Sequence, residues 1–300
     1  MDSPHPIADH LPDLAYGCWR LADGDPSPAQ VAERIDTAIE AGMTLIDTAD
    51  IYGHGTPAGF GGAEALLGGL LRSRPALRDE IVLATKGGIA PGTPYDQSPT
   101  YLRSACEASL HRLNTDVIDL YFVHRPDVVT PPAELAGTLD ALIDDGLVRS
   151  VGLSNFTAAH TRAVAAHLRH PLAAIQPEWS LAHLDPLVDG TFAVAGELGA
   201  AVLAWSPLAG GSLLADEGPG GDASTPGTLA GEVARIARAH DASPTAVALA
   251  WLMTLPGPVI PIVGTQTPER ITSAALAADV RLDRGEFYAL LEAAQGVPLP

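Results

Sequence analysis

Eight short apolar runs, separated by stretches with helical signals, constrain the fold of this 300-residue chain more than any other feature. They occupy residues 14–19, 44–48, 81–85, 117–123, 148–153, 173–176, 201–205 and 259–263 and are rich in Val, Ile and Leu. Continuously apolar runs fit parallel strands covered on both faces, because a half-exposed strand would alternate polar with apolar residues. Helix signals fill the gaps. Ser27-Pro28 opens a helix to Glu40 with Gly42 just past its end, Ser98-Pro99 opens one to Leu113, and Pro131-Pro132 opens one to Asp145, closed by Gly146. Thr157 caps one to His170 before Pro171, Asp185-Pro186 opens one to Leu198 before Gly199, and Ser243-Pro244 opens one to Leu255. Eight strands alternating with helices over about 250 residues predict an α/β fold, a (β/α)8 TIM barrel. The chain is read as one such domain over residues 1–300. An open doubly wound sheet is the other arrangement this alternation allows, but no G-x-G-x-x-G follows the first run, as a dinucleotide site in that fold would want.

Composition narrows the partners. A net charge of −19 repels phosphate backbones, so neither nucleic acid nor an anionic membrane is expected as a partner. Residues 1–11 carry acids and prolines but no apolar signal-peptide core. No apolar run reaches the roughly 18 residues of a membrane span; the longest, residues 246–255, suits a buried helix. Cys18 and Cys106 make no metal or redox spacing, and His160, His167 and His170 lack a zinc ligand set, so no metal is assigned. A cytoplasmic location is the simplest expectation, and the oligomeric state is left open.

In a barrel the chemistry gathers where strands end at the C-terminal face. The second run leads to Asp47, with Tyr52 five residues on; the third to Lys86; the fourth to His124; the fifth to Ser154-Asn155; the sixth to Gln176; the seventh to Trp205-Ser206; and the eighth to Gly264-Thr265. Lys86 is the only lysine among seventeen basic Lys and Arg residues. Lysine is a compact charge whose pKa shifts when it is buried or paired, whereas arginine stays charged. Taken singly, Asp47 could cap a turn, Tyr52 could pack on a rim and His124 could be a satisfied half-buried imidazole. Titratable groups at three successive strand ends point instead to one site.

Several stretches carry a family resemblance: Asp47-Thr48-Ala49-Asp50-Ile51-Tyr52-Gly53, Glu64 with Leu67-Gly68, Thr85-Lys86-Gly87-Gly88, Asp119 to His124, Gly146 to Phe156, and Gln176 with Glu178 and Ser180. In this order and spacing they resemble the aldo-keto reductases, and residues 14–23 are similar to a bacterial subgroup of them, the YdhF-like oxidoreductases. The resemblance implies a (β/α)8 barrel that reduces aldehyde or ketone carbonyls with NADPH, with NADH as the other possibility. It implies Tyr52 as general acid, Lys86 as the charge that stabilises the phenolate, Asp47 as its partner and His124 as a hydrogen bond to the substrate oxygen. Cofactor contacts carried over are Gly17, Cys18 and Trp19 beside the nicotinamide ribose and Ser154, Asn155 and Gln176 on the carboxamide. Trp205 falls where the family stacks an aromatic on the nicotinamide, though a core tryptophan is the other reading. Ser206, Leu208 and Gly210 open the pyrophosphate cover, and Gly264, Thr265 and Arg270 match the 2′-phosphate stretch. The adenosine end departs from the family: a further basic residue is usual near Gln266, and a Glu-Asn pair stands where this chain has Ser273 and Ala274.

Residues 209–227, rich in Gly, Asp, Ser and Pro, read as a lid or as a disordered insertion. Pocket walls are expected from Trp19, Tyr52, His54, Ile89, His124, Arg125 and Trp179. Arg125 would favour an acidic substrate or form an outward salt bridge, and His54 would line the rim or stay solvated. Two other functions fit parts of the pattern: a lyase using Lys86 as a Schiff-base amine, and a sensing protein that binds NADPH with little turnover.

Overall fold

The computed structural model describes residues 11–217 and 228–300. Eight parallel strands close into a barrel in sequence order, the eighth pairing with the first. They are β1 (Ala15–Gly17), β2 (Leu45–Asp47), β3 (Val82–Gly87), β4 (Ile118–Val123), β5 (Val148–Ser154), β6 (Ala174–Gln176), β7 (Ala201–Ala204) and β8 (Val259–Val263). Each overlaps one apolar run of the sequence, and β3 continues past its run to carry Lys86.

The described helices are α1 (Pro28–Glu40), α2 (Gly62–Ser73), α3 (Pro99–Leu113), α4 (Pro132–Asp144), α5 (Ala158–Ala165), α6 (Thr191–Leu198), α7 (Leu229–Ala239), α8 (Pro244–Met253), α9 (Pro268–Ala275) and α10 (Arg284–Gln295). Ser27 and Gln30 form a capping box at α1, and the hydroxyls of Ser98, Thr157 and Ser243 accept the backbone amides that open α3, α5 and α8. Among the described residues no helix is long and apolar enough to cross a membrane.

Two helices differ from expectation. The stretch opened by Asp185-Pro186 is not one helix: a 3-10 turn over Asp185–Leu187 ends, Gly190 turns left-handed at φ 90°, and α6 restarts at Thr191. The Asp189 side chain accepts the Thr191 amide there, so a local cap replaces continuation. Helix α5 stops at Ala165 rather than His170, and the Arg169 and His170 amides donate to Asp140 of α4 at 3.0 and 3.1 Å.

The core has two layers. Inside the barrel lie Leu45, Ala84, Leu120, Phe122, Leu203 and Ile260. A larger apolar layer fills the space between barrel and helices. Phe122 takes interior volume next to Gly152, where any side chain would collide with the ring. Gly68 of α2 lies against the Arg112 backbone of α3, so the absence of a side chain lets the two helices meet. Trp179 belongs to this outer layer. It is fully buried and stacks on Trp251 at 4.9 Å between ring centroids, with Phe287 stacked on Trp251 in turn at 5.1 Å. This corrects the expectation that Trp179 walls the substrate pocket: it packs outward against Phe192 of α6 and Trp251 of α8. The expected lid begins as a 3-10 helix over Ala209–Glu217; residues 218–227 of it lie outside the described residues.

Candidate active site

Strand register sets the site. Gly17 pairs with Asp47, and Lys86 pairs with Phe122, so the ends of β1 to β4 lie side by side. Side chains alternate along a strand, and Lys86 points inward with Ala84 and Phe122 while Thr85 and Gly87 face the helices. The Lys86 ammonium meets Asp47 Oδ2 at 2.6 Å, the Thr48 carbonyl at 2.9 Å and Tyr52 Oη at 3.1 Å. An ammonium has three donors, and these partners use all three. Tyr52 Oη therefore accepts from Lys86 and keeps its own proton for another acceptor. Gln176 Nε2 donates to the remaining Asp47 oxygen at 3.0 Å. The His124 ring stands edge-on to Tyr52, centroids 5.9 Å apart, and its amide donates to the Gly87 carbonyl. The structure thus brings together Asp47, Tyr52, Lys86 and His124, as the sequence predicts.

The electrostatics follow from burial. Burial is the largest influence on Lys86 and opposes its charge, but Asp47 and Tyr52 together outweigh it and hold its pKa above the ordinary value. Burial also raises the Tyr52 phenol, and Lys86 only partly offsets this. The phenol is therefore protonated at neutral pH, and the adjacent ammonium is poised to stabilise the phenolate once the proton leaves. Burial, reinforced by Lys86 and Arg125, holds His124 well below its usual range, so its ring is neutral.

The nucleotide residues expected from sequence lie at or just after the ends of β1, β2 and β5 to β8. Gly17 and Cys18 are buried, and the Cys18 amide donates to the Asp47 carbonyl, so they offer backbone rather than side chains. Trp19 is 60% exposed at the rim. Ser154 and Asn155 close β5; Asn155, left-handed at φ 62°, donates to Ser154 Oγ and the His124 carbonyl and accepts from Trp205 Nε1 at 3.0 Å. Trp205 is half-buried with its ring beneath the Arg125 guanidinium at 5.6 Å, not a core tryptophan. Ser206, Ala209 and Gly210 are all left-handed, coiling the backbone after β7 with Leu208 half-buried in the coil. Gly264 is exposed, and open space surrounds the position its side chain would take. Gln266 is spent internally: it accepts from Tyr16 Oη at 3.2 Å and donates to the Gly264 carbonyl. Thr265 Oγ1 caps the Thr267 amide. Arg270 is exposed and, among the described residues, holds no ion pair. Amide groups near the strand ends, a half-buried indole and a free guanidinium fit a dinucleotide laid across β5 to β8.

Of the expected pocket walls, Trp19, Tyr52, Ile89, His124 and Arg125 retain exposure or border the mouth, while His54 is exposed on the turn after Tyr52. Arg125 touches Trp205 but has no carboxylate partner among the described residues, so it is not an outward salt bridge. Sequence reasoning gave no role to the Thr48 carbonyl, which binds Lys86, because a backbone acceptor leaves no trace in residue type. It also gave none to Asp50, although the motif contained it.

The comparisons agree with this geometry. The model of the Aldo/keto reductase family matches residues 13–295. A 6-dehydroglucose reductase of Novosphingobium aromaticivorans is 45% identical over 287 residues, covering 96% of this chain and 93% of its own. A 6-dehydroglucose reductase of Agrobacterium fabrum is 38% identical, and oxidoreductase YdhF of Escherichia coli is 34% identical with 98% of each chain covered. Among solved structures, a thermostable aldo-keto reductase, Tm1743, in complex with the inhibitor epalrestat, superimposes with a TM-score of 0.78 at 25% identity, covering 94% of this chain and 95% of its own. The barrel, the strand-end residues and these matches along nearly the whole length make the chain a member of the aldo-keto reductase family, a group of oxidoreductases that act on carbonyls with nicotinamide cofactors.

Proposed function

We propose that the chain reduces an aldehyde carbonyl to an alcohol, with Tyr52 as the proton donor, and that it favours NADPH. The reading rests on the buried bridge from Asp47 through Lys86 to Tyr52 Oη, at 2.6 and 3.1 Å. Reduced nicotinamide, when bound, supplies the hydride to the carbonyl carbon. The carbonyl oxygen gains electron density and takes the Tyr52 proton; Lys86 stabilises the phenolate left behind, and solvent returns the proton. Neutral His124 donates a hydrogen bond to the same oxygen and aims it at Tyr52. Positioned acids of this kind contribute about 10²- to 10⁴-fold. The two relatives called 6-dehydroglucose reductases support a sugar carrying a terminal aldehyde as the substrate class. Arg125, beside His124 and without a carboxylate partner among the described residues, suits the hydroxyls or an acid group of such a molecule.

Support for NADPH comes from Arg270, the one cation in the expected 2′-phosphate stretch; Gln266 adds no charge and is engaged elsewhere. A Schiff base at Lys86 is disfavoured, since the amine is charged, fully buried and triply hydrogen-bonded.

The test follows oxidation of NADPH and NADH with 6-dehydroglucose and a panel of simple aldehydes. Tyr52→Phe and Lys86→Met should each lose about 10²-fold or more in kcat while NADPH still quenches protein fluorescence. Since Lys86→Met leaves Asp47 buried without its partner, a thermal melt must accompany it. Undiminished turnover in either variant rules the assignment out.

A further inference from the structure

Outside the barrel wall, beneath the turn that carries Tyr52, lies a second set of buried polar side chains that the reaction above leaves unused. Asp50 is 1% exposed, and among the described residues neither of its carboxyl oxygens has a hydrogen-bond partner. The adjacent Ile51 amide eases its charge without reaching hydrogen-bond geometry. Nearby Glu64 of α2 accepts from Thr85 of β3 at 2.5 Å and from Arg112 of α3 at 2.6 Å. Tyr121 of β4 is fully buried, its hydroxyl also lacks a partner among the described residues, and it presses on Gly87 so closely that a side chain there would collide with it. The Asp50 amide donates to the Lys86 carbonyl at 3.0 Å, and Ala63 of α2 donates to the Tyr52 carbonyl at 3.1 Å. Asp50 thus sits at the seam between the strand holding Lys86 and the turn holding Tyr52.

We propose that Asp50 is a positioning residue for the reduction: its buried carboxyl wedges the Tyr52 turn against β3 and so sets the contact between Tyr52 and Lys86. This rests on the reading of Tyr52 as the proton donor.

Burial first and Glu64 second raise the Asp50 pKa to about 8, against smaller opposing effects of Arg112, Ile51 and Lys86. The carboxyl is therefore neutral at neutral pH, which suits a buried seat beside the Glu64 carboxylate. The neighbouring groups with displaced values lie outside that window. Burial lifts Tyr101 and Cys106 to about 12 and Tyr52 and Tyr121 above their ordinary values, Lys86 is also raised, and His124 lies well below. Folded Asp50 keeps its proton up to about pH 8, whereas an unfolded aspartate loses it near about 3.9. The native state thus holds the extra proton between these values, and stability drops as pH rises through that interval. Once ionised, Asp50 repels Glu64 and pulls the turn toward water; a displacement of about 1 Å at a reacting group can cost about 100-fold.

The experiment measures kcat, KM for NADPH and melting temperature on both sides of pH 8 for the wild type, Asp50→Asn and Asp50→Leu. Wild-type kcat should fall severalfold with a midpoint near 8 while KM for NADPH stays flat. Asp50→Leu should lose about tenfold in kcat at every pH, and Asp50→Asn, which mimics the neutral acid, should recover that rate and abolish the alkaline fall. In melts Asp50→Asn should exceed the wild type by a few degrees above pH 8 and converge with it in acid. An alkaline fall that persists in Asp50→Asn, or a melting difference that ignores pH, overturns the proposal. The melts need no turnover. A wild type that reduces nothing at any pH overturns the reductase reading and the positioning role with it, whereas identical melting profiles overturn the Asp50 assignment alone.

Discussion

In the proposed function the nucleotide preference rests almost alone on Arg270. Gln266 is tied to Tyr16 and Gly264, so no second side chain in that stretch offers positive charge. Arg270→Ala should weaken NADPH binding by roughly tenfold, the scale of one charge-assisted contact, and leave NADH binding nearly unchanged. Fluorescence titration with both nucleotides checks this, and equal losses would assign Arg270 no part in the preference. At this scale the sequence spoke where residue type and chemistry coincide. Lys86, Asp47, Tyr52 and His124 stood out because titratable side chains are rare at the ends of buried strands. Trp179 was misjudged because position past a strand end does not say which way a side chain turns; here it turns outward onto Trp251. Asp50 was legible as a letter of the motif but silent as a partner, since its environment comes from α2, α3 and β4 together.

The strands were legible because each is apolar on both faces, and the helices with Ser-Pro starts because those signals are local. Helix α2 gave no such signal. It begins at a left-handed glycine with no side-chain cap and contains three further glycines. One of these, Gly68, explains the pattern, as it lets α2 approach the backbone of α3 at Arg112. Gly68→Ala would raise helix propensity in isolation but must push the helices apart here. A net loss of about 1–3 kcal/mol is expected from overpacking, and because Glu64 pairs with Arg112 across the same interface the Asp50 seat should loosen too. Urea unfolding of Gly68→Ala reads the sign directly; a gain in stability would show that α2 and α3 move apart freely. The break before α6 was missed for a related reason: Gly190 and Asp189 are ordinary loop residues until the chain places them at a helix start.

Over the whole molecule, a chain of net charge −19 encloses its one lysine completely, so the charge beside Tyr52 comes from inside the barrel. Arg125 and Arg270 edge the mouth and the expected adenosine stretch, and neither has a carboxylate partner among the described residues. The closed β1-to-β8 order followed from strand alternation together with the absence of a G-x-G-x-x-G after the first strand, and Ser243-Pro244 marked α8, whereas the extra helix α7 between β7 and β8, and α10 after the barrel, left no such signal. They cover the outside, where many arrangements satisfy the same apolar pattern.

The four tryptophans divide the molecule into two optical zones. Trp19 and Trp205 border the mouth, whereas Trp179 and Trp251 lie stacked and dry between barrel and helices. A bound nucleotide should dim the first pair and leave the second glowing blue; denaturant should redden the second pair as water enters. One emission spectrum therefore carries two separate readings, occupancy and integrity, and Trp205→Phe should erase most of the first while sparing the second.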